Sequence, residues 1–288
     1  MIAVRPAREA DRAVIAEISK HYDSNLIHLV HKTWQQQGAM YIAEREGKEV
    51  GFCGLSFPAP TEAQILGLRL LPEFQKEQAG RDFIIALMQV AQEKGCNVVR
   101  LITASENYET QAALQRNLNF TRCGAWVIGY GEELADLSGE ENTLAPAGPE
   151  QLEEIWSFLQ YSQVYRRNQG LIYTDFYSFR SFSKAFLSQL LSAGAVYTWP
   201  EGGELTGVSV AQAVGDSMVI SYLDGKPRAL PKLLQGIVHR SPGHLTAAMA
   251  ADIYADAHPY LEEILVQHQP DHWLVMAKEV SPLAAPRE

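Results

Sequence analysis

The stretch LRLLPEFQKEQAGRDFIIAL, Leu68–Leu87, decides how the chain is read. An apolar run with strand character meets Pro72, crosses a short polar loop with a single glycine at Gly80, and enters a segment whose apolar residues recur with helical spacing. Strand, loop and helix start in that order are where proteins often hold phosphate, because the first backbone N–H groups of a helix have no partners inside it. Such loops are usually richer in glycine, so the stretch reads either as a phosphate cradle or as a plain turn.

The flanks extend an alternating pattern. Residues 2–5 read as a short strand, and DRAVIAEI from Asp11 opens a helix with Val14, Ile15 and Ile18 on one face and Asp11 as N-cap. A second helical stretch covers Leu26 to Trp34, and MYIAERE, VGFCGLSF and AQILGLRLL read as three strands, the first two joined by the turn EGKE. After the loop come the amphipathic helix FIIALMQVAQEKG, stopped at Gly95, the strand NVVRLITA, the helix TQAALQRNLNF and the strand WVIGYGEEL. The pattern fails over DLSGEENTLAPAGPE, residues 136–150, a linker by composition, which divides the chain into domains 1–135 and 151–288. The second half repeats the order: the helices LEEIWSFLQ and FYSFRSFSKAFLSQLL, the strands AVYTWP, LTGVSVAQAV and SMVISYL, a helix at Leu230–Val238, the strand HLTAAMAA, the helix PYLEEILVQ and the strand HWLVMAKEV. Letter identity between the halves is low, so the repeat rests on element order.

Composition narrows the partners. The 288-residue chain carries a formal charge of −10 with its basic residues scattered, which argues against nucleic acid or an anionic membrane as partner. No run approaches the roughly 20 apolar residues that span a bilayer, and MIAVRPAREADR has charges where a signal peptide needs its apolar core, so a cytoplasmic protein is expected. Cys53, Cys96 and Cys123 are far apart without a CxxC pair and read as buried thiols. His28 and His31 share a helical face, but no HExxH pattern or nearby carboxylate completes a metal site, and no metal is expected.

Four pieces of the first half resemble the GNAT superfamily of acyl-CoA-dependent N-acyltransferases. VRPAREADRAVIAEI is similar to the family's opening strand and helix, and AEREGKEVGFCGL to its hairpin, with Val50-Gly51 starting the second strand of the pair. LRLLPEFQKEQAGRDFIIALM resembles the acyl-CoA motif, a Pro-Glu-aromatic step followed by (R/Q)xxGx(G/A), and ALQRNLNF stands where the family has a sequence like LYEKLGF. The resemblance implies an α/β (α+β) architecture of two GNAT-like domains, each a mixed, mostly antiparallel central sheet flanked by helices. The second domain is expected to be degenerate, because SYLDGKPRALPKLL replaces the acyl-CoA loop and Pro227 removes an N–H.

Carried onto this sequence, the resemblance implies acetyl-CoA as cosubstrate. Backbone groups at Leu68, Arg69 and Leu70 would pair with the pantetheine arm, and Gln75, Lys76, Gln78, Ala79, Gly80 and Arg81 would hold the pyrophosphate, with Asn107 near the family's asparagine contact. Two positions depart from the family: Gln78 replaces the middle glycine, and Gln115 stands where many members have the tyrosine that protonates the leaving thiolate. Glutamine does not titrate in the useful range, which leaves Tyr108 as the candidate proton donor. Glu62 and Glu44, at strand ends, are candidate bases or solvated surface carboxylates. Tyr161, Tyr165, Tyr173, Phe176, Tyr177 and Phe179 line an acceptor cleft or pack helices. The implied function is transfer of an acetyl group to a primary amine of a small molecule or peptide in a ternary complex, the acidic surface favouring a cationic amine. The alternative is a CoA-binding sensor or interaction module without turnover. A homodimer is compatible with either.

Overall fold

The computed structural model describes residues 2–22, 39–75, 78–131, 144–174, 177–215, 217–240, 244–264 and 269–281. The expected helix at Leu26–Trp34, with His28 and His31, lies outside them, as do Lys76 and Phe176.

The first half runs β1 (Ala3–Pro6), α1 (Arg12–Ser19), β2 (Met40–Arg45), β3 (Lys48–Ala59), β4 (Glu62–Leu70), α2 (Pro72–Gln75), α3 (Ala79–Glu93), β5 (Val98–Ala104), α4 (Tyr108–Leu118) and β6 (Thr121–Gly131). The second runs α5 (Leu152–Tyr161), α6 (Gln163–Arg167), β7 (Leu171–Tyr173), β8 (Phe179–Ser181), α7 (Lys184–Ser192), β9 (Val196–Glu201), β10 (Glu204–Val214), β11 (Ser217–Gly225), α8 (Ala229–Val238), β12 (His244–Ala250), α9 (Ala251–Ile264) and β13 (Gln269–Glu279).

Eleven strands form one sheet in the order β1-β2-β3-β4-β5-β13-β6-β12-β11-β10-β9, and β7 and β8 form a separate hairpin. The last strand of each half is exchanged: β13 pairs with β5, β6 pairs with β12, and the two meet antiparallel at the centre with Trp273 opposite Trp126. The order reads as a two-fold repeat about that pair, and individual hydrogen bonds repeat with it. Ala7 N–H to Met40 O (2.8 Å) recurs as Ala147 N–H to Val196 O (2.7 Å), and Leu71 N–H to Val50 O (2.9 Å) as Lys226 N–H to Thr206 O (2.9 Å). The β4–β5 and β11–β12 pairs are both parallel in an otherwise antiparallel sheet.

One face of the sheet carries a core shared by the halves, in which Ile15 and Ile18 of α1 and Phe52 and Leu66 of the first half join Trp126, Ile155, Leu159, Phe179 and Phe182. The other face carries separate cores under α3 and α4, and under α8 and α9. Burial of all three cysteines, among them Cys53 at 0% exposure, agrees with the sequence reading. Among the described residues no helix is long and apolar enough to cross a membrane.

Several local expectations are corrected. Asp11 does not cap α1 with its side chain; its carboxylate accepts the Arg8 N–H at 2.6 Å, closing the 3-10 turn before the helix, and binds the Arg5 fork at 2.7 and 2.9 Å. Within the stretch 136–150, the Pro146–Tyr197 bridge sets Pro146 beside β9 as β1 lies beside β2. FYSFRSFSKAFLSQLL is not one helix: Phe179–Ser181 form β8, and Ser183 caps α7 by accepting the Phe186 N–H. The helix expected from Pro259 begins at Ala251 and carries Pro259 inside it.

Candidate active site

The site begins where β4 leaves β5. The two strands pair only from Glu62↔Val98 to Ile65↔Leu101. At Gly67, with φ of 56°, the register of β4 against β3 also shifts. Such a bulge re-aims the side chains that follow it. Leu66 packs in the shared core, whereas Leu68 and Leu70 pack on the α3 side, so Arg69 faces α1. Gly51 keeps β3 close to this bend, since a Cβ there would lie 2.5 Å from the Arg69 carbonyl oxygen. Beyond Ile65, β4 and β5 therefore splay: β4 stays paired with β3 at Arg69 and Leu70, while its opposite edge at Leu68–Leu70 has no partner strand in β5.

Tyr22, which sequence reasoning missed, stands on that edge. Its hydroxyl donates to Leu70 O at 2.7 Å and accepts from Leu70 N–H at 2.9 Å, while Gln75 Nε2 donates to the same oxygen at 2.9 Å and to Leu70 O at 3.2 Å. One donor and two acceptor positions of a phenol are thus all used. The ring lies beneath the Arg69 guanidinium, 4.6 Å from its centroid.

Below the splay, Gln78 precedes α3 without a side-chain cap, and the first helical bond is Asp82 N–H to Gln78 O. The N–H groups of Ala79, Gly80 and Arg81 therefore stand at the free end of a 15-residue helix. The Gln78 side chain turns along the surface and accepts from Arg81 Nη1 at 3.3 Å. Gly80 has an ordinary helical backbone, and a Cβ there would meet nothing closer than Leu70 Cδ1 at 3.7 Å. Nothing in the fold itself requires a glycine at that position.

Across the splay, Asn107 caps α4 by accepting the Thr110 N–H at 3.1 Å. Tyr108 is 73% exposed, and Gln111 and exposed Gln115 follow it at helical spacing on the same face. Gln111 Nε2 donates to Ala104 O and Ser105 O, at 3.2 and 2.9 Å, and so fixes the end of β5. Glu106 and, from β13, Asp271 form an acidic lip here; partial burial, and then the charge of Glu106, raise the Asp271 carboxyl above its ordinary value. Asp271 went unnoticed in the sequence because β13 belongs to the other half.

The two candidate bases are corrected. Glu62 is 6% exposed, pairs with Arg100 at 2.7 Å, and accepts from the Ser181 N–H at 3.0 Å and from the Ser181 hydroxyl. Burial pushes its carboxyl up, but Arg100 and Ser181 outweigh that and hold it below its ordinary value. Glu44 pairs with Arg5 at 2.6 Å. Both carboxylates are committed to arginine partners, Glu62 in a buried pair and Glu44 in a part-buried one.

The second half closes one side of β4. The Gln64 amide binds Tyr177 O and the Phe179 N–H, and the Ser56 and Ser178 hydroxyls lie 3.1 Å apart. Tyr173, Tyr177 and Phe179 are buried in this packing, while Tyr161 is 79% exposed. In the second half itself only Lys226–Arg228 separate β11 from α8, and a Cβ on Gly207 would lie 2.8 Å from Ala229 Cβ. Helix and strand are clamped together there, where the first half has eight residues, 71–78, between β4 and α3. Among the described residues no cluster of His, Cys, Asp or Glu could hold a metal.

Residues 10–120 match the model of the acetyltransferase (GNAT) family. An uncharacterized N-acetyltransferase of Chlorobaculum tepidum is 29% identical over 108 residues, 36% of this chain and 70% of that protein. A GCN5-related N-acetyltransferase of Sphaerobacter thermophilus superposes with a TM-score of 0.55 at 11% identity, over 96% of this chain and 95% of that one. A putative acetyltransferase of Thermoplasma acidophilum does so with a TM-score of 0.52 at 11% identity, over 93% and 89%. At that identity the structural likeness concerns the fold, and it runs through both halves. Residues 10–120 are thus similar to the GNAT acetyltransferase family, within a fold shared along the whole chain.

Proposed function

We propose that the chain is a cytoplasmic N-acetyltransferase whose first half binds acetyl-CoA and whose tandem second half, lacking a phosphate loop, shapes the acceptor side. Gly80 carries the reading. A glycine in a helix costs about 0.5–1 kcal/mol against alanine, and here no turn, positive φ or close packing needs it. Room beside the first N–H groups of a helix fits a phosphate that must approach the backbone. Ala79, Gly80 and Arg81 would hold the pyrophosphate together with Gln75 and Lys76, and the free edge at Leu68 and Leu70 would pair with the pantetheine amides once the Tyr22 hydroxyl gives up its place. Gln78, turned toward Arg81, flanks that cradle.

Bound acetyl-CoA supplies an activated thioester. The acceptor nitrogen bonds to its carbonyl carbon, the C–S bond breaks, and the proton lost by the amine ends on the thiolate or in solvent. With Glu62 and Glu44 committed elsewhere, water is the base, and Tyr108, the phenol on α4, is the residue we assign to returning a proton to sulfur, with Asn107 beside it.

A second reading, a CoA-binding sensor without turnover, is favoured by the same committed carboxylates and by exposed Gln115 in the place of the family's tyrosine. Titration calorimetry with acetyl-CoA, followed by release of free thiol with a panel of amines, tests both. Binding with thiol release supports the enzyme, binding without release supports the sensor, and no binding rejects both.

A further inference from the structure

Two half-buried arginines, Arg69 and Arg180, form no ion pair among the described residues; Arg180 on β8 stacks on the Phe186 ring, 3.8 Å from its centroid, and Arg69 stands at the splay. Arg100 is paired with Glu62 at 2.7 Å, and Arg5 with Asp11 and Glu44 at 2.7 and 2.6 Å. Arg69 is half-buried at the splay, yet among the described residues no carboxylate lies within ion-pair distance of it, in a chain with 34 acidic residues against 24 basic ones. Its guanidinium rests on the Tyr22 ring, its Nη1 donates only to the neighbouring Leu68 O at 3.0 Å, and its Nε is buried without a partner. A guanidinium has five N–H donors arranged as a fork that fits a carboxylate or phosphate. Leaving most of them unmatched while taking the charge out of water is costly unless a ligand completes the set. Burial lowers the pKa of Arg69, in keeping with a charge that the protein alone does not compensate.

The orientation says which ligand. Arg69 faces α1, whereas Leu68 and Leu70 face α3, the helix whose first N–H groups are assigned above to the cofactor phosphates. The two positive features thus lie on opposite faces of β4. The far lip of the splay carries Glu106 and Asp271, suited to an ammonium group. We propose that Arg69 anchors an anionic group of the acceptor, so that the acceptor class is an amine that also bears a carboxylate or phosphate. The proposal rests on the acetyltransferase reading and deepens it. Local charge here points the opposite way from the overall charge, which by itself suggested a purely cationic amine.

The test uses the full chain with acetyl-CoA and measures thiol release with α-amino acids, straight-chain ω-amino acids and amino-sugar phosphates. Each is paired with the amine that lacks its anionic group. The anionic member is expected to show a kcat/KM about tenfold or more above its pair. Arg69→Met should reduce that ratio to within about twofold, Arg69→Lys should restore part of it, and the Kd for acetyl-CoA should change by less than about twofold in both. Equal use of the paired amines, or a ratio unchanged in Arg69→Met, overturns the proposal. A loss of acetyl-CoA affinity of about tenfold in Arg69→Met assigns the anion to the cofactor and overturns it too. So does acetyl-CoA binding accompanied by neither turnover nor thermal stabilisation with any anionic probe. Failure of the parent protein to bind acetyl-CoA rejects the underlying reading instead.

Discussion

Replacing Gly80 by alanine should move stability and binding in opposite directions. The added Cβ would make an ordinary contact with Leu70 Cδ1 at 3.7 Å and meet nothing else, so the free protein accepts it without strain. Alanine favours the helix over glycine by up to about 1 kcal/mol, which for a chain of this size raises Tm by roughly 2–4 °C. A phosphate oxygen bonded to the helix-start N–H groups would be pushed off by the same methyl. Loss of one charge-assisted hydrogen bond costs about 1.5–3 kcal/mol, so the Kd for acetyl-CoA should rise about 10- to 150-fold. Thermal unfolding without ligand and calorimetry with acetyl-CoA read the two effects on one variant. A variant less stable than the parent would show that the fold needs this glycine. One that is more stable and binds acetyl-CoA as tightly as the parent would show that no phosphate comes close to it, and either result refutes the reasoning.

Three further outcomes follow from the same geometry. Tyr22→Phe keeps the ring under Arg69 but frees Leu70 N–H and O; it should lower stability by about 1–2 kcal/mol and tighten acetyl-CoA binding by about 5- to 30-fold, measured by thermal scan and calorimetry. Weaker binding in this variant would mean that the phenol is part of the cofactor site rather than its stand-in. Glu62→Gln leaves Arg100 buried without its charge partner and should cost about 3–5 kcal/mol in denaturant unfolding. Because the folded pKa of Glu62 is depressed, its contribution is full above the unfolded value of 4.5 and is lost as pH falls through the folded one; the variant should show a flatter acid limb. Asp224 behaves in reverse: burial raises its carboxyl above 3.8 against the hydrogen bonds from Ser162, Tyr222 and Gly225, so the folded state holds the proton longer and stability falls as pH rises through that window. Asp224→Asn, which can still accept from the Tyr222 hydroxyl, should raise Tm near neutral pH and remove that decline.

Much of the fold was legible because it is written locally. The spacing of Phe83, Ile84, Leu87 and Ala91 encodes the buried face of α3, and the turns at Gly47 and at Gly202–Gly203 mark where β2 meets β3 and β9 meets β10. The exchange of β6 and β13 was not legible, since which strand fills a gap depends on contacts between residues far apart in sequence. For the same reason Glu62 was misread. A glutamate at a strand start looks solvated until β8, about half the chain away, supplies Ser181 and covers it. The site divided along similar lines. Gly80 and the Pro-Glu-aromatic step are contiguous and can be read as a motif, whereas Tyr22 carries no motif and acquires its meaning only because the bulge at Gly67 turns Leu70 toward it.

The central claim is that one half, and only one, binds acetyl-CoA. Calorimetric titration of the full chain with acetyl-CoA tests it most directly through stoichiometry. The account predicts saturable binding at one site per chain, because Lys226–Arg228 leave no room for a second phosphate loop. Two sites per chain, or no heat and no thermal shift at millimolar acetyl-CoA, would contradict it.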